Sequence, residues 1–484
     1  MSSNTSGDRK FAFDIGWVFL SMIVAQLMGF VLRMFIGRIS TGELGIYSLI
    51  MLLLSLSRLI GGFGVKSSII KYGAEENSSK RLFNHTILLT IILGLASALV
   101  LFVLSPFIES FFDMELAHYV LLLSIALPFV FIYDSLLGIL NGARRMNVYA
   151  LGIVLQNLIF AGFAIFSIIN GGGLEEIILA LVLSFIVSTV ILGIYHTLSW
   201  GFSVSRETMV SDWKSLLSFG SKIFISNVVN LFNYQIDLIL IGFFMMDSDV
   251  GIYSVAYVIV RFFWVIPQSI QTITYPATSE FWSKGRFRKA KGMCIQSMKY
   301  SAVILLLGGM FAYLFGQDFI VLLFGSDYFD SYWPLLILLP GTVAIGVAKS
   351  IGSSLAGIGR PDISMNLSIV TATINTCLNF LLIPKMGIEG AAIATSFTLL
   401  FYAALVIFYT AKHLRFRVPA GYFSKVGGIT AGVILLHYLV SGCIDDFLLS
   451  ILTMGLYIAL VLVFMVSRKD VRDIRRILSG GGLA

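Results

Sequence analysis

Six ionisable side chains interrupt stretches of sequence that are otherwise apolar: Arg33, Arg58, Asp134, Asp237, Arg261 and Lys349. A charge in such surroundings is costly unless it meets a partner or water, so each marks a candidate functional position. Four are cationic and two are anionic, so a cavity they shared would carry net +2 and favour an anion. Around them run polar stripes. Asn227, Asn230, Tyr234 and Asp237 follow a spacing of three, four and three, which keeps one helical face. Arg261, Trp264, Gln268, Gln271 and Tyr275 form a second stripe, Gln26, Gly29 and Arg33 a third, and Ser55 with Arg58 a fourth.

Such stripes suit water, or one another, better than lipid. They predict a hydrated cavity with Arg33, Arg58, Arg261, Trp264, Gln268 and Lys349 as substrate-binding residues. Asn227, Asn230, Tyr234, Asp237 and Asp134 are expected to line it or to couple transport to an ion. The alternative is a buried polar network that joins two halves of a bundle. Trp264 differs from the other five tryptophans, which fall at the ends of apolar stretches or between them. A ring at its depth can stack on a sugar, on the Arg261 guanidinium, or simply pack.

Other chemistries find little support. His196 and His437 have no second histidine or cysteine at ligand spacing, and Cys294, Cys377 and Cys443 fit neither a metal site nor a disulfide framework. No metal or cofactor is expected. There is no GxxxxGK[ST] pattern, so the chain is not read as an ATPase.

The elements that must position these residues are membrane spans. Hydrophobic residues make up 58% of 484 and charged residues 12%, with a mean hydropathy of +0.93. Soluble domains are about a quarter charged. Fourteen runs are long enough to cross a hydrocarbon core: 15–36, 44–65, 86–107, 119–140, 149–169, 177–198, 217–243, 251–275, 300–323, 333–355, 363–383, 390–411, 426–443 and 447–466. The predicted cavity is lined by the first, second, seventh and eighth. The stretch 276–299 is basic with interspersed aromatics and reads as an amphipathic cytoplasmic helix. Pro267 interrupts the eighth span.

The chain also repeats itself. ELGIYSL from Glu43 is answered by DVGIYSV from Asp249, FIESFF from Phe107 by FIVLLF from Phe319, LNGARR from Leu140 by LAGIGR from Leu355, and GLE from Gly173 by GIE from Gly387. The separations are 206, 212, 215 and 214 residues. A six-span unit has therefore been duplicated. Six is even, so the copies lie parallel, and parallel duplicated bundles build transporters with the substrate between copies.

The expected fold is thus an all-α integral membrane protein of about 14 helices. Two parallel six-helix repeats form an N-lobe at 13–198 and a C-lobe at 217–411, joined by a cytoplasmic linker at 199–216. Helices 13 and 14, at 426–466, stand outside the repeat, and a basic cytoplasmic tail follows at 467–484. Of the 33 Lys and Arg, Arg33, Arg58, Arg261 and Lys349 lie inside spans and Arg38 and Lys385 fall on one side; all the others fall on the opposite side. That asymmetry predicts both termini in the cytoplasm. The net charge of +7 is then a topology signal, and no nucleic-acid partner is expected.

With these residues in view, several motifs are familiar. GELGIYSL, GGFGVKSSIIKYGAE (61–75), YQIDLILIGFF (234–244), YPATSEFWSKGRFRKA (275–290), LAGIGRPDIS (355–364) and LNFLLIPKMGIEGAAIAT (378–395) resemble the polysaccharide-biosynthesis flippases, the O-antigen-transporter-like branch of the multidrug/oligosaccharidyl-lipid/polysaccharide exporter superfamily. The resemblance covers nearly the whole chain. It implies translocation of a polyprenyl-phosphate- or pyrophosphate-linked oligosaccharide across the cell membrane by alternating access. It allows a coupling ion, Na⁺ or H⁺, with membrane potential as the alternative driving force, and implies work alongside glycan polymerase or ligase machinery. Related lipid II flippases carry arginines in helices one, two and eight, where Arg33, Arg58 and Arg261 lie here. Two other readings compete: a cation-coupled drug exporter of the same superfamily, typically of twelve helices, and a membrane glycosyltransferase, which the short outer loops disfavour.

Overall fold

The computed structural model describes residues 4–73, 80–201, 206–442 and 445–465. The regular elements among them are helices: α1 (Asn4–Gly37), α2 (Thr41–Gly62), α3 (Val65–Gly73), α4 (Lys80–Phe112), α5 (Ala117–Gly142), α6 (Met146–Ile169), α7 (Leu174–Trp200), α8 (Arg206–Phe244), α9 (Asp247–Phe263), α10 (Val265–Ser283), α11 (Phe287–Phe324), a 3₁₀ turn (Ser326–Ser331), α12 (Tyr332–Gly357), α13 (Pro361–Leu414), α14 (Ala420–Val440) and α15 (Asp446–Met465). Large apolar side chains such as Leu99, Val103 and Phe107 stand exposed along α4. A helix satisfies its own backbone, so such a surface is stable in lipid.

Twelve stretches among the described residues are long and apolar enough to span a membrane. The expected fourteen is therefore approximate, and two details account for the difference. The span Pro361–Leu414 is two helices joined at Gly387, whose φ of 59° and ψ of −142° are non-helical. The expected seventh span lies in α8 and contributes the shorter apolar stretch Gln235–Phe244.

Other boundaries move for local reasons. The eighth span breaks at Trp264, between α9 and α10. Pro267 has no N–H for the Phe263 carbonyl, and its ring crowds that carbonyl. No separate amphipathic helix forms at 276–299; α10 and α11 meet there at a turn through Lys284, Gly285 (φ 68°) and Arg286. Residues after the second span, expected as loop, form α3. The turn before it takes left-handed φ at Phe63 (43°) and Gly64 (71°). The expected linker overlaps the start of α8. Residues 202–205 of that linker, and the expected tail, lie outside the described residues.

The chain forms two compact units, Met1–Ser254 and Val255–Ala484. In the first, Val65, Ile69, Phe83, Leu89, Ile139 and Leu216 form a core where α3, α4, α5 and α8 meet. The start of α8 is fastened there by polar bonds. Ser68 Oγ donates to the Leu216 carbonyl at 2.7 Å, Trp213 Nε1 donates to the His85 carbonyl at 2.8 Å, and His85 Nδ1 lies 2.6 Å from an Asp212 oxygen. The duplicated motifs also touch within this unit. A Cβ on Gly45 would collide with the Asp247 carbonyl and approach Gly251 N, and a Cβ on Gly251 would collide with the Thr41 carbonyl.

In the second unit, α12 packs on α10, α11 and α13. Thr274 Oγ1 donates to the Ser350 carbonyl at 2.9 Å, and Thr278 meets Ser354 at 3.2 Å, so small hydroxyls knit α10 to α12. The extra pair, α14 and α15, covers α11 through Met310, Val426, Val433, Tyr457 and Val461.

Candidate functional site

Two charges singled out in the sequence, Arg58 and Asp134, converge in the first unit with a third, Lys66. Asp134 projects from α5 between two cations. Arg58 Nε, near the end of α2, lies 3.1 Å from one carboxylate oxygen. Lys66 Nζ, at the start of α3, lies 2.9 Å from the other. The left-handed turn at Phe63–Gly64 brings α2 and α3 to the same place. Its tightness depends on glycine: a Cβ on Gly64 would collide with the Gly220 carbonyl of α8. The Arg58 guanidinium also lies over Phe185, 5.0 Å from the ring centroid.

These groups line a cavity of about 400 Å³, with Ser55, Thr90 and Asn227 among its walls. The side chains of Arg58, Lys66 and Asp134 are 34%, 43% and 21% exposed, so the triad is reachable by a ligand. With the carboxylate ionised the triad carries net +1.

Arg33 sits on α1, where Nη1 donates to the Gly29 carbonyl at 3.4 Å and the guanidinium lies 5.7 Å from the Tyr47 ring centroid. Asp237, on α8, is 3% exposed and accepts a hydrogen bond from the Tyr253 hydroxyl at 2.9 Å. The side chains of Asn230 and Tyr234 lie outside the described residues.

In the second unit, Lys349 of α12 points its ammonium at the face of Trp264, 4.1 Å from the centroid. Trp264 is 6% exposed, and Tyr257 meets it edge-on with centroids 6.5 Å apart. The ring is therefore neither an open sugar platform nor a seat for Arg261. Arg261 instead lies 5.8 Å from the Tyr257 ring centroid. Gln268 is exposed on α10.

The structure thus unites Arg58, Asp134 and Asn227 at one cavity, and Lys349 with Trp264 at another place. Sequence reasoning missed Lys66, which read as an ordinary loop cation. It also missed a buried polar group in α13: Asn379 Nδ2 donates to Asn375 Oδ1 at 3.0 Å, and Thr395 reaches the same oxygen at 3.3 Å. Among the described residues, no group of three or more His, Cys, Asp or Glu is arranged to hold a metal.

Residues 11–282 match the polysaccharide biosynthesis protein family, and residues 223–381 match the MatE family. The first match covers more than half of the chain, which belongs to the polysaccharide biosynthesis protein family. A Haloferax volcanii relative named as a probable low-salt glycan biosynthesis flippase, Agl15, is 21% identical over 432 residues, 87% of this chain and 88% of its own. A second, named as a probable flippase, AglR, is 25% identical over 372 residues, 74% of this chain and 75% of its own. The fold is shared with the lipid II flippase MurJ in an inward closed conformation, at a TM-score of 0.74 and 16% identity over 94% of this chain and 98% of that one. An inward-facing multidrug resistance MATE family transporter of the MOP superfamily follows at 0.68 and 18% identity, over 81% and 94%.

Proposed function

We propose that the protein is a flippase moving a polyprenyl-phosphate- or pyrophosphate-linked oligosaccharide across the cell membrane by alternating access, for cell-surface glycan assembly. The observation that carries this reading is the Arg58–Asp134–Lys66 cavity in a member of the polysaccharide biosynthesis family. Two cations on separate helices suit a phosphate, and Ser55, Thr90 and Asn227 beside them suit sugar hydroxyls. Lys349, braced on Trp264, is a second cationic element; with Arg33, Arg261 and Gln268 it completes the substrate-binding set of this reading. Asp237 either pairs with Arg33 or binds the coupling cation, Na⁺ or H⁺. The six-span lobes, both termini in the cytoplasm, and glycan polymerase or ligase partners belong to the same proposal.

The names of the Haloferax volcanii relatives support the substrate class. The test is leaflet accessibility in proteoliposomes. A short-chain lipid-linked oligosaccharide placed in one leaflet should become accessible to an impermeant glycosidase on the other side, and should not do so with Arg58→Ala. The MatE match favours a second reading, a cation-coupled drug exporter. Ion-dependent efflux of a cationic dye, without movement of the glycolipid, would select it.

A further inference from the structure

We propose that Asp134 is a displaceable internal counter-anion, which keeps Arg58 and Lys66 closed to the ordinary anionic phospholipids of the bilayer. It yields only to a headgroup that brings sugar contacts beside its phosphate. The proposal rests on the flippase reading and adds the residue that sets its specificity.

The geometry provides the argument. Asp134 presents one oxygen to Arg58 at 3.1 Å and the other to Lys66 at 2.9 Å, so both cations are already engaged. None of the three is sealed, and all line one cavity. Without the carboxylate, two cations from neighbouring helix ends would form an open anion site. A bilayer presents such a site with phosphodiester lipids in great excess over any glycolipid, and mass action would fill it with the wrong ligand. Discrimination then needs an element that opposes the competitor.

A tethered carboxylate is such an element. It carries one negative charge, like a phosphatidylglycerol headgroup, and it is always at hand. A phosphodiester with nothing else to offer gains little by replacing it. A glycolipid offers a phosphate for the two cations and hydroxyls for Ser55, Thr90 and Asn227 in the same cavity. Its added contacts offset the cost of releasing Asp134, so recognition requires both parts of the headgroup.

The full chain, purified in detergent, is titrated with short-chain phosphatidylglycerol, and with short-chain phosphatidylcholine as the zwitterionic control. The wild-type protein should not distinguish them. Asp134→Asn and Asp134→Ser should each bind phosphatidylglycerol about tenfold more tightly than wild type, a change equivalent to 1.4 kcal/mol. Adding Arg58→Gln should remove the gain. If folded neutral variants show no gain, the proposal is overturned. Where both neutral variants unfold, Lys66→Gln, at a side chain 43% exposed, is the deciding variant. It should slow glycolipid transport about tenfold, and an unchanged rate overturns the proposal. A wild-type protein that moves no glycolipid, in a case where the neutral variants gain phosphatidylglycerol, counts against the flippase reading and leaves the guarded anion site standing.

Discussion

The Lys349 ammonium stands 4.1 Å from the centroid of the Trp264 ring, on a tryptophan that is itself 6% exposed. The indole supports the cation within the second unit. Such a contact contributes about 0.5–2 kcal/mol. Lys349→Met keeps the stem and removes the charge, so it should lower stability by no more than that contact's contribution and lower transport. Trp264→Ala should do both kinds of damage, because truncating a buried aromatic costs about 3–5 kcal/mol. Thermal unfolding in detergent and the leaflet assay, run on the same preparations, check the pair. A Lys349→Met protein with full transport would remove Lys349 from the substrate path.

Arg58→Ala and Arg261→Ala should each abolish transport while leaving protein in the membrane. Each loses a cation that a phosphate would meet. Lysine replacements should be partly tolerated if a point charge suffices, and poorly tolerated if the planar two-pronged geometry matters. Proteoliposome rates for the four variants decide this. Full activity with both arginines replaced by alanine would refute an anion cavity.

Asp237 accepts from Tyr253 at 2.9 Å in a nearly sealed position. Tyr253→Phe should cost about 1–3 kcal/mol, the penalty for leaving a buried acceptor short of a donor. Asp237→Asn should damage transport. If its role is to pair with Arg33, the exchange Arg33→Asp with Asp237→Arg should restore part of the rate. If its role is to bind a coupling cation, the exchanged protein should stay inactive, and Asp237→Asn should lose ion dependence or stop.

The glycine contact between the repeated motifs makes a packing prediction. Gly45→Ala and Gly251→Ala each place a methyl into backbone carbonyls. Overpacking of this kind typically costs about 1–3 kcal/mol. Gly162→Ala, also inside a helix but with nothing within 4 Å, is the control and should show only the gain of about 1 kcal/mol or less that alanine's helix propensity gives. Melting temperatures of the three variants are the measurement.

Topology can be tested with cysteines at Ser248 and Ser326. The second is exposed, whereas neighbouring Ser331 is fully buried and would not label. The exposed native Cys377 must first be replaced. Both sites should react with an impermeant thiol reagent applied from outside. Labelling that requires lysis would invert the orientation.

Much of the architecture was legible because a bilayer reads length and hydropathy, and both are local properties of a sequence. The spans and the exceptional charges follow from that. Partner choice does not. Arg58 is joined to Lys66 by a turn with two left-handed residues, and nothing in the spacing of GGFGVK announces that α3 will fold back onto α5 and meet Asp134. The stripe shared with Arg261 left Trp264 three partners: a sugar, the Arg261 guanidinium, or its packing neighbours. The break created by Pro267 and the packing of α10 on α12 gave it to Lys349 instead. The two spans expected at 363–383 and 390–411 are separate helices joined at a kink at Gly387, where the backbone leaves the helical region.

The meeting of Gly45 with Gly251 constrains the two copies of the motif together. These are the same residue in each copy. A Cβ on Gly45 would run into the Asp247 carbonyl, and one on Gly251 into the Thr41 carbonyl, so each copy's backbone occupies the space a side chain would need in the other. A larger residue on one side is tolerable only where the other side's backbone gives way.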